Sequence, residues 1–172
     1  MLQKKDKTKG SILWGNQPWK ILFMGDDNLL YQKLNRYCNK LVFFNKNCQL
    51  TKFNYLLDDY ENLLQTYDIP LIFFLIKRPN NGEFSLINNL KTKSSYLSPK
   101  IITIISKKNV ELRTKILENI DIFDYLEIEE INIQQLENKI ITALKSYKEE
   151  KKYLTKKADK EKKIIFSNDS YE

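Results

Sequence analysis

Short apolar runs punctuate the chain, and each ends at a polar or turn-forming segment. Lys20-Ile21-Leu22-Phe23-Met24 stops at Gly25-Asp26-Asp27-Asn28 and predicts a buried strand followed by a turn. Pro70-Leu71-Ile72-Phe73-Phe74-Leu75-Ile76 is the most hydrophobic segment. Such an unbroken run fits a central parallel strand covered on both faces. It breaks at Lys77-Arg78-Pro79-Asn80-Asn81-Gly82, a strong loop signal. Residues 101–105 predict another strand ending at Ser106, and 122–125 a short last one. Residues 41–44 and 50–55 both have strand character, and the second is the better candidate for the sheet.

Helical spacing fills the gaps. Leu29, Leu30, Leu34 and Tyr37 predict a helix over 29–37, and Leu63 and Leu64 mark the apolar side of one over 58–67. Residues 84–90 form a short helix, and Leu112, Ile116 and Ile120 give one face of a helix over 110–120. Ile133, Leu136, Ile140, Ile141 and Leu144 make 133–147 amphipathic. Strands alternating with helices predict βαβ units and a parallel sheet. Five such units suggest a flavodoxin-like, doubly wound α/β fold. In that fold, sites lie at the carboxyl ends of the strands.

Composition narrows the chemistry. The 172 residues, 42% of them hydrophobic, suit one domain with extra segments at its ends. Histidine is absent, and Cys38 and Cys48 form no CxxC pair. A His-ligated zinc site, a Ser-His-Asp triad and a Cys-His dyad are excluded. The two thiols fit a reduced, cytoplasmic protein. No apolar run is long enough for a membrane helix, and the charged start leads into no apolar signal segment. The net charge of +7 sits in the tails: residues 1–20 carry +4, 145–163 carry +5, and 21–144 are neutral. The expected organisation is a basic arm over 1–17, a domain over 18–147 and a basic helical or disordered tail over 148–172.

The end motifs resemble a known family. Trp19-Lys20-Ile21-Leu22-Phe23-Met24-Gly25-Asp26-Asp27 looks like the opening of a response-regulator receiver domain. Ile120-Asp121-Ile122-Phe123-Asp124-Tyr125, followed later by Ala143-Leu144-Lys145-Ser146-Tyr147, looks like its end. The chain is particularly similar to receivers that precede HD-type cyclic-di-nucleotide phosphodiesterases, over roughly 18–150. The resemblance implies two metal-binding acids after the first strand, a phosphoacceptor Asp ending the third, a Ser or Thr ending the fourth and a Lys after the fifth. Metal and Lys would neutralise charge on the transferred phosphoryl group, and the hydroxyl would hydrogen-bond it.

This sequence departs from that pattern. Gly25 matches the first acid and Asp26 the second, with Asp27 beside it. Leu75 stands at the acceptor position, and residues 73–78 contain no carboxylate. Ser106 keeps the hydroxyl, Ile128 replaces the Lys, and Glu129 replaces the proline that usually follows. Leucine has no nucleophilic atom, so no acyl phosphate can form there. One or two carboxylates seldom hold magnesium without further oxygen ligands. The expectation is a degenerate receiver with no enzyme activity, cofactor or metal, and a former acid pocket packed around Leu75 and Ile128.

Each retained residue also has a simpler role. Asp26 and Asp27 can cap the helix starting near Asn28. Ser106 can bond nearby backbone. Tyr125 matches an aromatic that swings inward in active receivers and here is expected to stay static and half-exposed. With Glu127, Glu129 and Tyr147 it forms the candidate interface, whose expected partner is a histidine kinase, a response regulator or a second copy. The competing reading is a binder of nucleic acid or anionic membrane through the lysine-rich tails.

Overall fold

The computed structural model describes residues 17–54, 60–77, 81–92, 97–119 and 122–168. Trp14 and most of the basic arm, residues 55–59, 78–80 and 93–96, Ile120, Asp121 and the last four residues lie outside this set.

Elements alternate from β1 (Trp19–Met24) through α1 (Asn28–Cys38), β2 (Val42–Phe43), β3 (Lys46–Phe53), α2 (Tyr60–Thr66) and β4 (Leu71–Leu75). They continue with α3 (Asn81–Thr92), β5 (Lys100–Ile105), α4 (Val110–Asn119), β6 (Asp124–Glu127), a 3-10 turn (Ile128–Glu130) and α5 (Ile133–Asn168). The strand order is β2-β3-β1-β4-β5-β6. All neighbours are parallel except β2 and β3. Without β2, this is the flavodoxin-like arrangement of five parallel strands, with the first strand between the second and third.

The central strands form because they can bury both faces. Every residue of β4 is buried, and so are five of the six in β5. One side of the sheet packs Leu30, Leu34 and Cys38 of α1 with Leu136, Ile140 and Leu144 of α5. The other packs Leu64, Ile87, Leu90, Leu112 and Ile116 of α2, α3 and α4. Three helices start on short polar caps: Asp27 Oδ1 accepts from Leu30 N, Asn109 Oδ1 from Leu112 N and Asn132 Oδ1 from Gln135 N, at 2.9, 3.0 and 2.9 Å. Each satisfies a backbone donor that the first helical turn leaves open.

Three features differ from the sequence reading. The two stretches expected as separate strands fall in one hairpin, β2 and β3, with β2 as a sixth, antiparallel edge strand; residue 55 lies outside the described residues. Its turn residues, Phe44 and Asn45, both have positive φ (51° and 61°), the geometry of a two-residue primed turn, here made without glycine. The last strand spans Asp124–Glu127 and ends two residues further than expected, because the parallel pairing with β5 extends to Ile105 opposite Glu127; the buried Glu127 pairs with Arg113 at 3.3 Å. Leu29, Ile133 and Ile141 are exposed, and Ala143 and Tyr147 take up the inward positions of α5 instead. The tail follows the helical alternative of the expectation: α5 continues past Tyr147 without a break to Asn168, and no Gly or Pro interrupts this stretch of good helix formers.

Candidate functional site at the carboxyl edge of the sheet

Gly25, Leu75, Ser106 and Ile128 follow or end β1, β4, β5 and β6, so the topology gathers them on one edge. Leu75 is 2% exposed and belongs to the core, with Ile128 packed against the same cluster. Leu75 lies directly over Gly25. A Cβ at position 25 would come within 2.8 Å of Leu75 Cβ and 3.2 Å of both Leu75 Cδ2 and Phe23 Cζ. Glycine here answers a close approach rather than a turn, since its φ is not positive. The two positions fit as a pair: the leucine occupies the space that any side chain at 25 would need.

The neighbouring acids have separate tasks. Asp27 caps α1. Asp26 points into solvent and pairs with Lys77 at 2.7 Å, the side chains 70% and 50% exposed. The hydrogen bond and charge of Lys77 hold the Asp26 carboxyl below its ordinary value. Lys52 Nζ donates to Asn28 Oδ1 at 2.5 Å beside them. Among the described residues, no group of three or more Cys, Asp or Glu is placed to hold a metal ion.

Ser106 faces Glu129. Its hydroxyl donates to Glu129 Oε1 at 2.6 Å, and Lys107 N donates to Oε2 at 2.8 Å. These two bonds, the backbone one first, lower the Glu129 carboxyl from its ordinary value. Lys107 Nζ pairs with Glu130, which lowers the Glu130 carboxyl and raises the Lys107 ammonium.

Tyr125 is half-buried on the outer strand. Arg113 of α4 and Lys139 of α5 stand 5.8 and 5.7 Å from its ring centroid, and Lys139 pairs with Asp124 at 2.5 Å. A polar cleft of about 530 Å³ runs over this face, lined by Lys107, Arg113, Tyr125, Glu127, Glu130 and Lys139 among others. Tyr147, read from the sequence as an interface candidate, is not on this face. It is 1% exposed, and its hydroxyl donates to Asp68 at the opposite edge of the sheet. Burial, with Asp68 beside it, pushes its phenol up. Its spacing in the helix stripe matches a core position as well as a surface one. The sequence reading passed over Arg113 and Lys139, and it placed Lys77 at the strand end without a role. Nothing in linear spacing pairs Lys77 with Asp26, although both follow apolar runs whose ends a parallel sheet brings together.

Cys38 and Cys48 are both buried and free. Desolvation pushes each thiol up to about 12, with the neighbouring Cys48 adding to the effect on Cys38. No described helix is long and apolar enough to cross a membrane.

No protein-family model matches the chain, and no curated protein sequence does. Solved structures do. The chain is similar to the signal receiver domain of an HD domain-containing protein from Pseudomonas fluorescens, with TM-score 0.62 and 18% identity over 78% of this chain and 92% of that one. It is similar to an adenylate cyclase structure from Rhodopirellula baltica, with TM-score 0.59 and 16% identity over 85% and 98% of the two chains. It is also similar to the response regulatory domain of protein mrkE from Klebsiella pneumoniae, with TM-score 0.54 and 18% identity over 76% and 98%. At these identities the likeness is one of fold, and the fold of this chain is that of a response-regulator receiver domain.

Proposed function

We propose that this chain is a pseudo-receiver: a non-enzymatic protein-interaction module in a two-component-type signalling pathway that works without phosphorylation. The observation that carries the reading is the packing of Leu75 on Gly25. The positions matching the phosphoacceptor and one metal acid hold a buried leucine and the glycine that makes room for it. An acyl phosphate needs a carboxylate nucleophile, and this edge offers none at that point. The remaining polar groups are engaged with one another, Asp26 with Lys77 and Ser106 with Glu129. With no phosphoryl group to bind, any signal this fold passes on depends on which protein it contacts.

The Tyr125 face is the proposed contact, with a histidine kinase, a response regulator or a second copy as partner. Its half-buried Tyr and ordered charges, Arg113–Glu127 and Lys139–Asp124, suit a polar, specific interface. Anionic membranes and nucleic acid are less well served. Of the tail lysines nearest the body, Lys148 lies 4.2 Å from the Phe44 ring and Lys151 pairs with Asp68.

Acetyl phosphate with magnesium tests the first half of the reading. The intact mass is expected to stay constant, and a gain of one phosphoryl group refutes it. Binding of candidate kinases and regulators, or self-association in sedimentation, tests the second half. Tyr125→Ala is expected to weaken the complex at least about tenfold, the scale of an aromatic interface anchor.

A further inference from the structure

Glu129 joins two loops that the chain could have left apart. Its carboxylate takes one bond from the Ser106 hydroxyl and one from the Lys107 N–H, at 2.6 and 2.8 Å. Ser106 Oγ also accepts from Lys108 N at 3.3 Å, which fixes the hydroxyl within the loop. Asn109 then caps α4 separately, through Leu112 N. A hydroxyl and a backbone N–H converging on two oxygens of one anion, with lysines at 107 and 108, is the donor pattern of an oxyanion site. The oxygens in it come from the chain itself.

We infer that Glu129 is a tethered ligand: the chain fills its own oxyanion site and thereby holds the loop after β5 closed against the turn after β6. A tethered group competes at an effective concentration that reaches the millimolar range for short flexible connections. A free anion therefore has to outcompete a carboxylate that is always present. The closure also sets one wall of the cleft over Tyr125, because Lys107 and Glu130 line it. The inference involves residues 106–130 only. It stands or falls without reference to Leu75 and Gly25, so its failure is distinguishable from failure of the phosphorylation-independent reading.

The test is an amide NMR titration of the full chain with inorganic phosphate, the ionic strength held constant with chloride. In the wild type the Lys107 and Lys108 amides are expected not to move. In Glu129→Ala they are expected to shift saturably, and hydrogen exchange at Lys107 is expected to accelerate. Adding Ser106→Ala to Glu129→Ala is expected to weaken the apparent affinity about tenfold, as loss of one hydrogen bond to a charged group would. Glu129 is exposed, so its removal leaves the core intact. The inference is overturned if the wild type responds as strongly as Glu129→Ala, if Glu129→Ala does not respond, or if the response survives Ser106→Ala unchanged. The last result would mean phosphate attracted only by surface lysines.

Discussion

The two edges of the sheet are tied down by different means. At the carboxyl edge an apolar plug, Leu75 on Gly25, sits beneath ion pairs and hydrogen bonds that lie almost wholly in water. At the amino edge one turn of α5 is gripped from several sides as the helix leaves the body. Tyr147 donates to Asp68, Lys148 stands over Phe44, Glu150 pairs with Lys100 at 2.5 Å and Lys151 pairs with Asp68. Phe44 in turn meets Trp19 edge-on at 6.3 Å, and Trp19 Nε1 donates to Phe43 O at 2.9 Å. One edge therefore depends on shape, and its exposed polar contacts add orientation more than stability. The other fixes a direction, because contacts at 147, 148, 150 and 151 set the angle of a helix that runs on to Asn168, roughly 25 Å beyond them.

The sharpest way to break the carboxyl edge is to place an acid there. Leu75→Asp puts a carboxylate among Phe23, Gly25 and the apolar core. A destabilisation of about 3–5 kcal/mol in urea unfolding is expected, the scale of an uncompensated buried charge. A loss below about 1 kcal/mol would mean that this site accommodates a carboxylate, and the comparison would collapse.

A gentler variant sharpens the same point. Gly25→Ala forces a Cβ to 2.8 Å from Leu75 Cβ, so overpacking of about 1–3 kcal/mol is expected. In a Leu75→Ala background the same substitution is expected to cost much less, because the side chain it strikes has been shortened. A double-mutant cycle reads this coupling directly. Additive effects would show that Gly25 is kept for some reason other than Leu75.

At the amino edge, Tyr147→Phe removes one hydroxyl and leaves Asp68 its ion pair with Lys151. A loss of about 1–2 kcal/mol is expected. Backbone relaxation over 152–161 is expected to show larger motion of the projecting helix relative to the body. An unchanged relaxation profile would mean that the remaining contacts fix the direction without Tyr147.

The two edges also differed in how much of them could be read from the sequence. The strands of the carboxyl edge announce themselves as apolar runs, and counting from their ends lands on Gly25, Leu75, Ser106 and Ile128. What counting could not give is the partner of each, because Lys77 with Asp26 and Glu129 with Ser106 are brought together by β1–β4 and β5–β6 pairing rather than by spacing. The amino edge was almost illegible. The hairpin turn at Phe44-Asn45 lacks the glycine that normally marks it. Tyr147 has the same helical phase whether it faces a core or a partner. The course of α5 past Tyr147 depends on long-range contacts with Phe44, Asp68 and Lys100, which no local pattern encodes.

The smallest expected effect separates the edges by pH. The carboxyls of Asp26, Glu129 and Glu130 all lie below their ordinary values of 3.8, 4.5 and 4.5, held there chiefly by Lys77, by Lys107 N–H with Ser106, and by Lys107. Each binds its proton less tightly folded than unfolded. Their contribution is therefore present above the unfolded values and fades as the pH falls through the lower folded ones. All three are exposed, so salt screens the contribution and it stays small. Unfolding midpoints are expected to be flat from neutrality to about pH 5 and to fall below that. Glu129→Gln is expected to make the fall shallower at low salt and to change little at high salt. Hydrogen exchange adds the spatial part: on acidification the Lys107 amide is expected to lose protection before the amides around Tyr147. Simultaneous loss at both edges would show that the carboxyl loops open only when the whole domain does. The exposed contacts would then be cooperative with the core, not a separate layer above it.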